Sequence, residues 1–331
     1  MAFPFKIQDY FLKSTFFQWL NKVSIPGVKG VSLFELLYIY ISGIIKGTLT
    51  LRAAAISWSV FFSIFPFVIF LFTFFPHLPH YQQVEQYFFL DVLPKVLPEP
   101  ILKDATAYIS ETLNSNKFTV WSWSVYVSIF FSTSGINALI NGFNFSYRKP
   151  FQKRKGFQQY LLAFGYTLLF TLFLFGIVLS LYYSQFIWKF IDNQTLSGFR
   201  ILFSKIGSLL LGVLMFMVGV LLLYKAGPRF GTSNRSLLPG VVLSTLLFVL
   251  TSSIFGYYIT HFTRYNLLYG SISTVMILMI WIYVNVIIVL VGFELNVALH
   301  FLSETTPSQR QDIFSFLPLD LEELNDQGEE T

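Results

Sequence analysis

Six uncharged, mainly apolar stretches recur along this sequence, and short clusters of Lys and Arg separate them. Each approaches or exceeds the roughly 20 residues that a helix needs to cross the ~30 Å hydrocarbon core of a bilayer. Inside hydrocarbon no water is present to satisfy backbone N–H and C=O groups, so each run must close its own hydrogen bonds as a helix. The sequence predicts an all-α fold, a polytopic membrane helix bundle of about six transmembrane helices.

Composition supports this setting. The chain is 54% hydrophobic and 12% charged, with a mean hydropathy of +0.62, well outside the usual balance of a soluble domain. The net charge of +5 does not point to nucleic acid, because the basic residues sit between apolar runs, where membrane insertion accounts for them. With 0 Cys, disulfides, thiol nucleophiles and cysteine metal sites are excluded.

The expected spans cover residues 53–75, 120–145, 160–188, 206–224, 237–259 and 270–301, a membrane domain over 51–301. Residues 1–50 read as N-terminal amphipathic segments. The first places Ile7, Phe11, Phe16, Trp19, Leu20 and Val23 near one helical face. In the second, Glu35 and Lys46 leave too short an uncharged run to span, which makes it interfacial or re-entrant. No signal-peptide pattern accompanies Lys6, Lys13, Lys22 and Lys29, so the first span is expected to target the chain.

Residues 77–117 are proline-interrupted but keep helical spacing, which predicts an external helical cap able to bind an envelope partner. Residues 302–331 form an acidic tail, expected to be disordered; eight of the 17 carboxylates lie between Glu304 and Glu330. Fifteen basic residues fall on the side of both termini and seven on the other. The asymmetry predicts a multi-pass plasma-membrane protein with both termini cytoplasmic.

Polar residues within the spans supply the site candidates. Arg52, Ser59, Ser63 and Pro66 follow spacings of 7, 4 and 3, one stripe of the first span. Ser134, Asn137, Asn141 and Asn144 repeat this at 3, 4 and 3 in the second. Three amides on one stripe cannot meet lipid comfortably, so they either bridge helices or line a hydrophilic cavity. In the sixth span Asn285, Gly292 and Asn296 share a stripe one turn beyond Trp281, placed to close against the second span's amides.

Glu294 is the one acidic residue in any span, and an ionised carboxylate near a helix centre costs on the order of 2.5–3.5 kcal/mol by insertion scales. Pairing with Arg52, Arg229 or Arg235 would explain it, as would a proton or cation relay. His77 and His80 lack a Cys or acidic cluster beside them, so no metal site is predicted. No phosphate-cradling glycine loop, serine elbow or His–Asp constellation occurs, so neither catalytic residues nor a cofactor are expected.

Four segments carry a family resemblance. They are Leu51-Arg52-Ala53-Ala54-Ala55-Ile56-Ser57-Trp58 with Phe62-Ser63-Ile64-Phe65-Pro66; Gly135 to Asn144; Tyr224-Lys225 with Gly227-Pro228-Arg229, then Pro239-Gly240; and Tyr269-Gly270-Ser271-Ile272, Trp281-Ile282-Tyr283 and Gly292-Phe293-Glu294-Leu295-Asn296. In this order, over roughly residues 30–300, they resemble the YihY/virulence factor BrkB family of bacterial inner-membrane proteins. Members have carried a ribonuclease name, but the loops here offer no acidic and histidine groups in a pattern that would surround a phosphate or metal.

The resemblance implies an inner-membrane location and a role in moving lipids or other amphiphiles. The polar stripes lead to the expectation of transport through a polar cavity between spans one, two and six, lined by Arg52, Ser59, Ser63, Asn137, Asn141 and Asn144, with membrane lipids as partners. The rival from another class is a scaffolding envelope protein in which the same stripes interlock.

Overall fold

The computed structural model describes residues 31–74, 123–146, 156–190, 197–227, 237–261 and 271–306. The expected external cap at 77–117, the first amphipathic segment, most of the acidic tail, and Pro228, Arg229 and Gly270 lie outside the described residues.

The chain enters through α1 (Leu33–Lys46), whose start is fixed by a capping box. Ser32 Oγ accepts from Glu35 N at 3.2 Å, and the Glu35 carboxylate accepts from Ser32 N at 2.8 Å. Two of the first turn's orphan donors are thereby satisfied. Glu35 thus serves the helix start while it shortens the apolar run. The buried Leu36 and Ile39 of α1 pack on Ala298 and Leu302, which seats the short helix against the end of the last one.

Gly47 and Thr48 alone separate α1 from α2 (Leu49–Phe74). Thr48 has φ of 49°, a left-handed conformation that a β-branched residue adopts at a steric cost. The tight turn holds the start of α2, and with it Arg52, directly beneath the end of α1.

Five further helices follow: α3 (Trp123–Asn144), α4 (Gly156–Phe190), α5 (Ser197–Ala226), α6 (Leu238–His261) and α7 (Ser271–Glu304). The shortest of α2–α7 has 22 residues, about 33 Å at 1.5 Å per residue, enough to cross hydrocarbon. Parts of α2, α4, α6 and α7 are by length and composition long and apolar enough to be membrane spans. In α5 the described residues Gly212–Ala226 are apolar, and α3 carries the Ser and Asn residues that its neighbours must satisfy.

Several helices outrun the expected spans. α5 begins at Ser197 rather than 206, α4 extends to both sides of 160–188, and α7 continues to Glu304. Charged and polar residues end a run suited to hydrocarbon, but they do not end a helix.

Close backbone approach sets the packing. A Cβ on Gly135 would run into Ser63, and one on Gly142 into Ile56, so glycine lets α3 lie tightly along α2. α6 and α7 approach in the same way at Gly240 and Gly292. Large apolar side chains such as Leu172, Leu246, Leu250 and Ile254 remain exposed on the outer faces, as expected of a bundle solvated by acyl chains.

Candidate functional site: a buried ion pair where three helices meet

Arg52 lies one turn into α2, Gly142 sits in the last turn of α3 with Ser146 just beyond it, and Glu294 lies ten residues before the end of α7 at Glu304. The bundle brings these together. Arg52 Nη2 meets Glu294 Oε1 at 2.5 Å, with side-chain exposures of 8% and 3%. Arg52 Nη1 donates to Gly142 O at 3.0 Å, a carbonyl of the last turn of α3 that also accepts from Phe145 N at 3.3 Å, at a helix C-terminus where positive charge is favoured. Ser146 Oγ donates to Glu294 Oε2 at 2.8 Å. The acid that needed an explanation is therefore paired, and each carboxylate oxygen receives a hydrogen bond.

α1 roofs this cluster. Gly43 passes close to Glu294, and Gly47 lies beside Arg52, where a Cβ would sit 3.3 Å from Nη2. Tyr40, outside the membrane-spanning helices, donates to Val291 O at 3.3 Å. Burial, and then the charge of Glu294, push its phenol up to about 12, so it remains a neutral donor.

Beneath the ions lies an aromatic floor made by the neighbouring residues of the same turns. Phe143 stacks on Phe293 with ring centres 4.4 Å apart, and Tyr224 meets both rings edge-on at 5.8 and 5.6 Å. All three are fully buried. A low-dielectric wall of this kind strengthens the adjacent ion pair, and makes loss of either partner costly.

The Tyr224 hydroxyl extends the network to α6 and α7. It lies 2.7 Å from Ser244 Oγ and donates to Val289 O at 2.7 Å, while Ser244 Oγ donates to Ile288 O at 3.1 Å. Asn296 completes the joint by accepting from Gly240 N at 2.8 Å and donating to Leu237 O at 3.0 Å. That pair of bonds satisfies backbone groups at the start of α6, next to Pro239.

The amide stripe of α3 has a different partner from the one its spacing suggested. Gln159 of α4 donates to Asn137 Oδ1 at 2.8 Å and Asn141 Oδ1 at 2.7 Å, and accepts from Asn144 Nδ2 at 3.0 Å. One amide thus gathers three. The Asn285 amide does not close against them; it donates back to Trp281 O at 2.8 Å, and its buried Oδ1 has no partner. Trp281 instead stacks on Phe255 at 4.5 Å. Replacing Gln159 by Leu leaves the Asn137 and Asn141 carbonyls and the Asn144 donor without these bonds. We expect a loss of about 1–2 kcal/mol, measured by thermal unfolding in detergent, since interhelical bonds in lipid average ~0.6 kcal/mol each.

Deeper in the bundle, a cavity of about 650 Å³ opens among α2–α7. Ser63, Ser132 and Thr167 are the polar side chains in its lining. Each hydroxyl is turned to its own helix: Ser63 to Val60 O at 2.8 Å, Ser132 to Ile129 O at 2.9 Å and Thr167 to Ala163 O at 2.9 Å. The expected polar cavity is instead a mainly apolar one. Of the predicted lining only Ser63 faces this cavity, because Arg52 is held by Glu294, the three amides are taken by Gln159, and Ser59 bonds to Ala55 O at 3.3 Å near the surface. The remaining lining is aliphatic and aromatic.

Ser146, Gln159, Tyr40 and Ser244 were not singled out in the sequence. For Gln159 a signal existed: three amides on one face call for a complementary amide at the start of the next helix. Among the described residues, no three His, Cys, Asp or Glu side chains are grouped to hold a metal ion.

Helices of this length, apolar outside and with their polar groups joined inside, define a multi-pass helical membrane protein. Residues 40–312 match the family model described as Virulence factor BrkB, and the chain belongs to that family. The chain is 25% identical over 261 residues to the ribonuclease-like protein YfkH of Bacillus subtilis, covering 75% of this chain and 89% of that one. A UPF0761 membrane protein of Pseudoalteromonas translucida is 41% identical over 80 residues, 24% of this chain and 27% of its own length. One from Tolumonas auensis is 40% identical over 101 residues, 30% and 33% of the two chains. No solved structure matches the chain.

Proposed function

We propose that this protein is a non-enzymatic handler of lipid or another amphiphile in the bacterial inner membrane, crossing it six times with both termini in the cytoplasm. The observation that carries the reading is the apolar cavity of about 650 Å³ within the bundle, a volume in the range of sites that hold small molecules. A bundle that served packing alone gains nothing from such a space, which forfeits dispersion contacts along its whole lining. The basic residues before α2 and in the loop at 148–155 would draw anionic headgroups to the cytoplasmic surface. The ribonuclease-like label of one relative is not carried over, because among the described residues no three His, Cys, Asp or Glu side chains are grouped to hold the metal that would activate water.

Vesicles reconstituted with the protein are expected to move a fluorescent anionic lipid between leaflets roughly ten-fold faster than protein-free vesicles, a barrier lowered by about 1.4 kcal/mol. An unchanged rate across lipid compositions would reject transport. The second reading is a scaffold, and one observation favours it: the amide stripe and the ion pair are satisfied within the bundle. On that reading residues 77–117 bind an envelope partner and the vesicles show no acceleration.

A further inference from the structure

We infer that the cavity takes the hydrocarbon chain of a bilayer lipid, admitted sideways between α4 and α5. This deepens the lipid-handling reading and rests on it for the bilayer setting. Gly212 lines the cavity, is itself exposed, and has open space where a side chain would begin. Leu174 lines the cavity from α4 and is also exposed. These two residues mark a mouth, and its surroundings are lipid-facing: Leu172 on α4 and Leu210 and Leu214 on α5 are all more than half exposed. The cavity is thus continuous with the surface that meets acyl chains.

Shape and chemistry agree with a tail and disagree with a headgroup. From Gly212 to Leu223 the lining follows α5 over twelve residues, about 16 Å for the eleven steps of 1.5 Å between them, so the space is elongated along the helices. The lining hydroxyls are occupied by their own backbones. A phosphate or sugar placed there would lose its hydration with no partners in return, and water would find few of the hydrogen bonds it needs in so large a space. A saturated or unsaturated chain gives up no hydration on entry, because it exchanges one apolar environment for another, and the dispersion contacts it gains offset its loss of conformational freedom.

The test uses the full chain in vesicles of phosphatidylethanolamine that carries a diazirine at the end of one acyl chain. Irradiation followed by peptide mapping is expected to place adducts on the inward residues of 135–139 and 216–220, besides those on outward residues such as Leu250 and Ile254. The variant Gly212→Phe puts a ring in the mouth, where nothing obstructs it; Gly212→Ala leaves the mouth open. Interior adducts should fall several-fold in the first and persist in the second, with outward adducts equal in both. Adducts confined to outward residues in the unaltered chain would overturn the inference and mean that water or another segment of the chain fills the space; interior adducts indifferent to Gly212→Phe would overturn the entry between α4 and α5. Interior labelling without transbilayer acceleration would uphold the tail site and reject transport, so the two claims fail separately.

Discussion

Replacing Arg52 by Met is expected to cost about 3–5 kcal/mol of folding stability, the range seen when one member of a buried ion pair is removed. The variant leaves Glu294, 3% exposed, with the Ser146 hydroxyl as its remaining bond. It also strips Gly142 O at the end of α3 of its cation. Glu294→Leu should cost less. Arg52 then keeps Gly142 O, and one turn into α2 it can extend its head toward the interface. The double variant Arg52→Met/Glu294→Leu should lie closer to the unaltered protein than Arg52→Met does, since it strands no charge in an apolar setting. Thermal unfolding in detergent, followed by near-ultraviolet circular dichroism, gives the order directly. Equal losses in the two single variants would show that depth does not govern the cost.

The second large effect is expected at Gly292. A Cβ there would collide with Ser244 Oγ, the Gly240 carbonyl and the Tyr224 hydroxyl at once. None of the three is the free end of a flexible chain: one is backbone and two are tied to carbonyls of α7. Gly292→Ala should therefore force α6 and α7 apart and cost about 3 kcal/mol, the upper part of the usual range for overpacking. The same unfolding measurement, with Gly176→Ala as the control because nothing lies within 4 Å of its Cβ, separates close approach from general loss of glycine. A Gly292→Ala variant as stable as Gly176→Ala would show that α6 and α7 do not meet as described.

The helical membrane class was legible because charge spacing is a one-dimensional property: the uncharged runs stand in the sequence itself, and hydrocarbon admits few ways to bury them. Glu294 was legible as an anomaly for the same reason, and Arg52 was among its possible partners. The assignment of partners was not legible. Stripe periodicity says which residues share a face of one helix, yet the face of α3 bearing Asn137, Asn141 and Asn144 meets α4, not α7, and Gln159 lies just outside the expected span. Ser146 was passed over because it lies beyond the end of α3, where a hydroxyl resembles any loop residue until α7 is placed beside it. The cavity was anticipated with the wrong lining. Amides and charges in hydrocarbon find one another first, so the space left over is bounded by the side chains that had nothing to pair with.

Arg52 and Glu294 neutralise each other inside the bundle, at the point where α2, α3 and α7 meet. A double-mutant cycle over Arg52→Met and Glu294→Leu, read as unfolding free energies in one detergent, measures that interaction and little else. A coupling above about 2 kcal/mol is predicted, in keeping with two charges that are both buried and both damaging when alone. Additive losses, with a coupling below about 0.5 kcal/mol, would mean that the two side chains do not meet in the membrane.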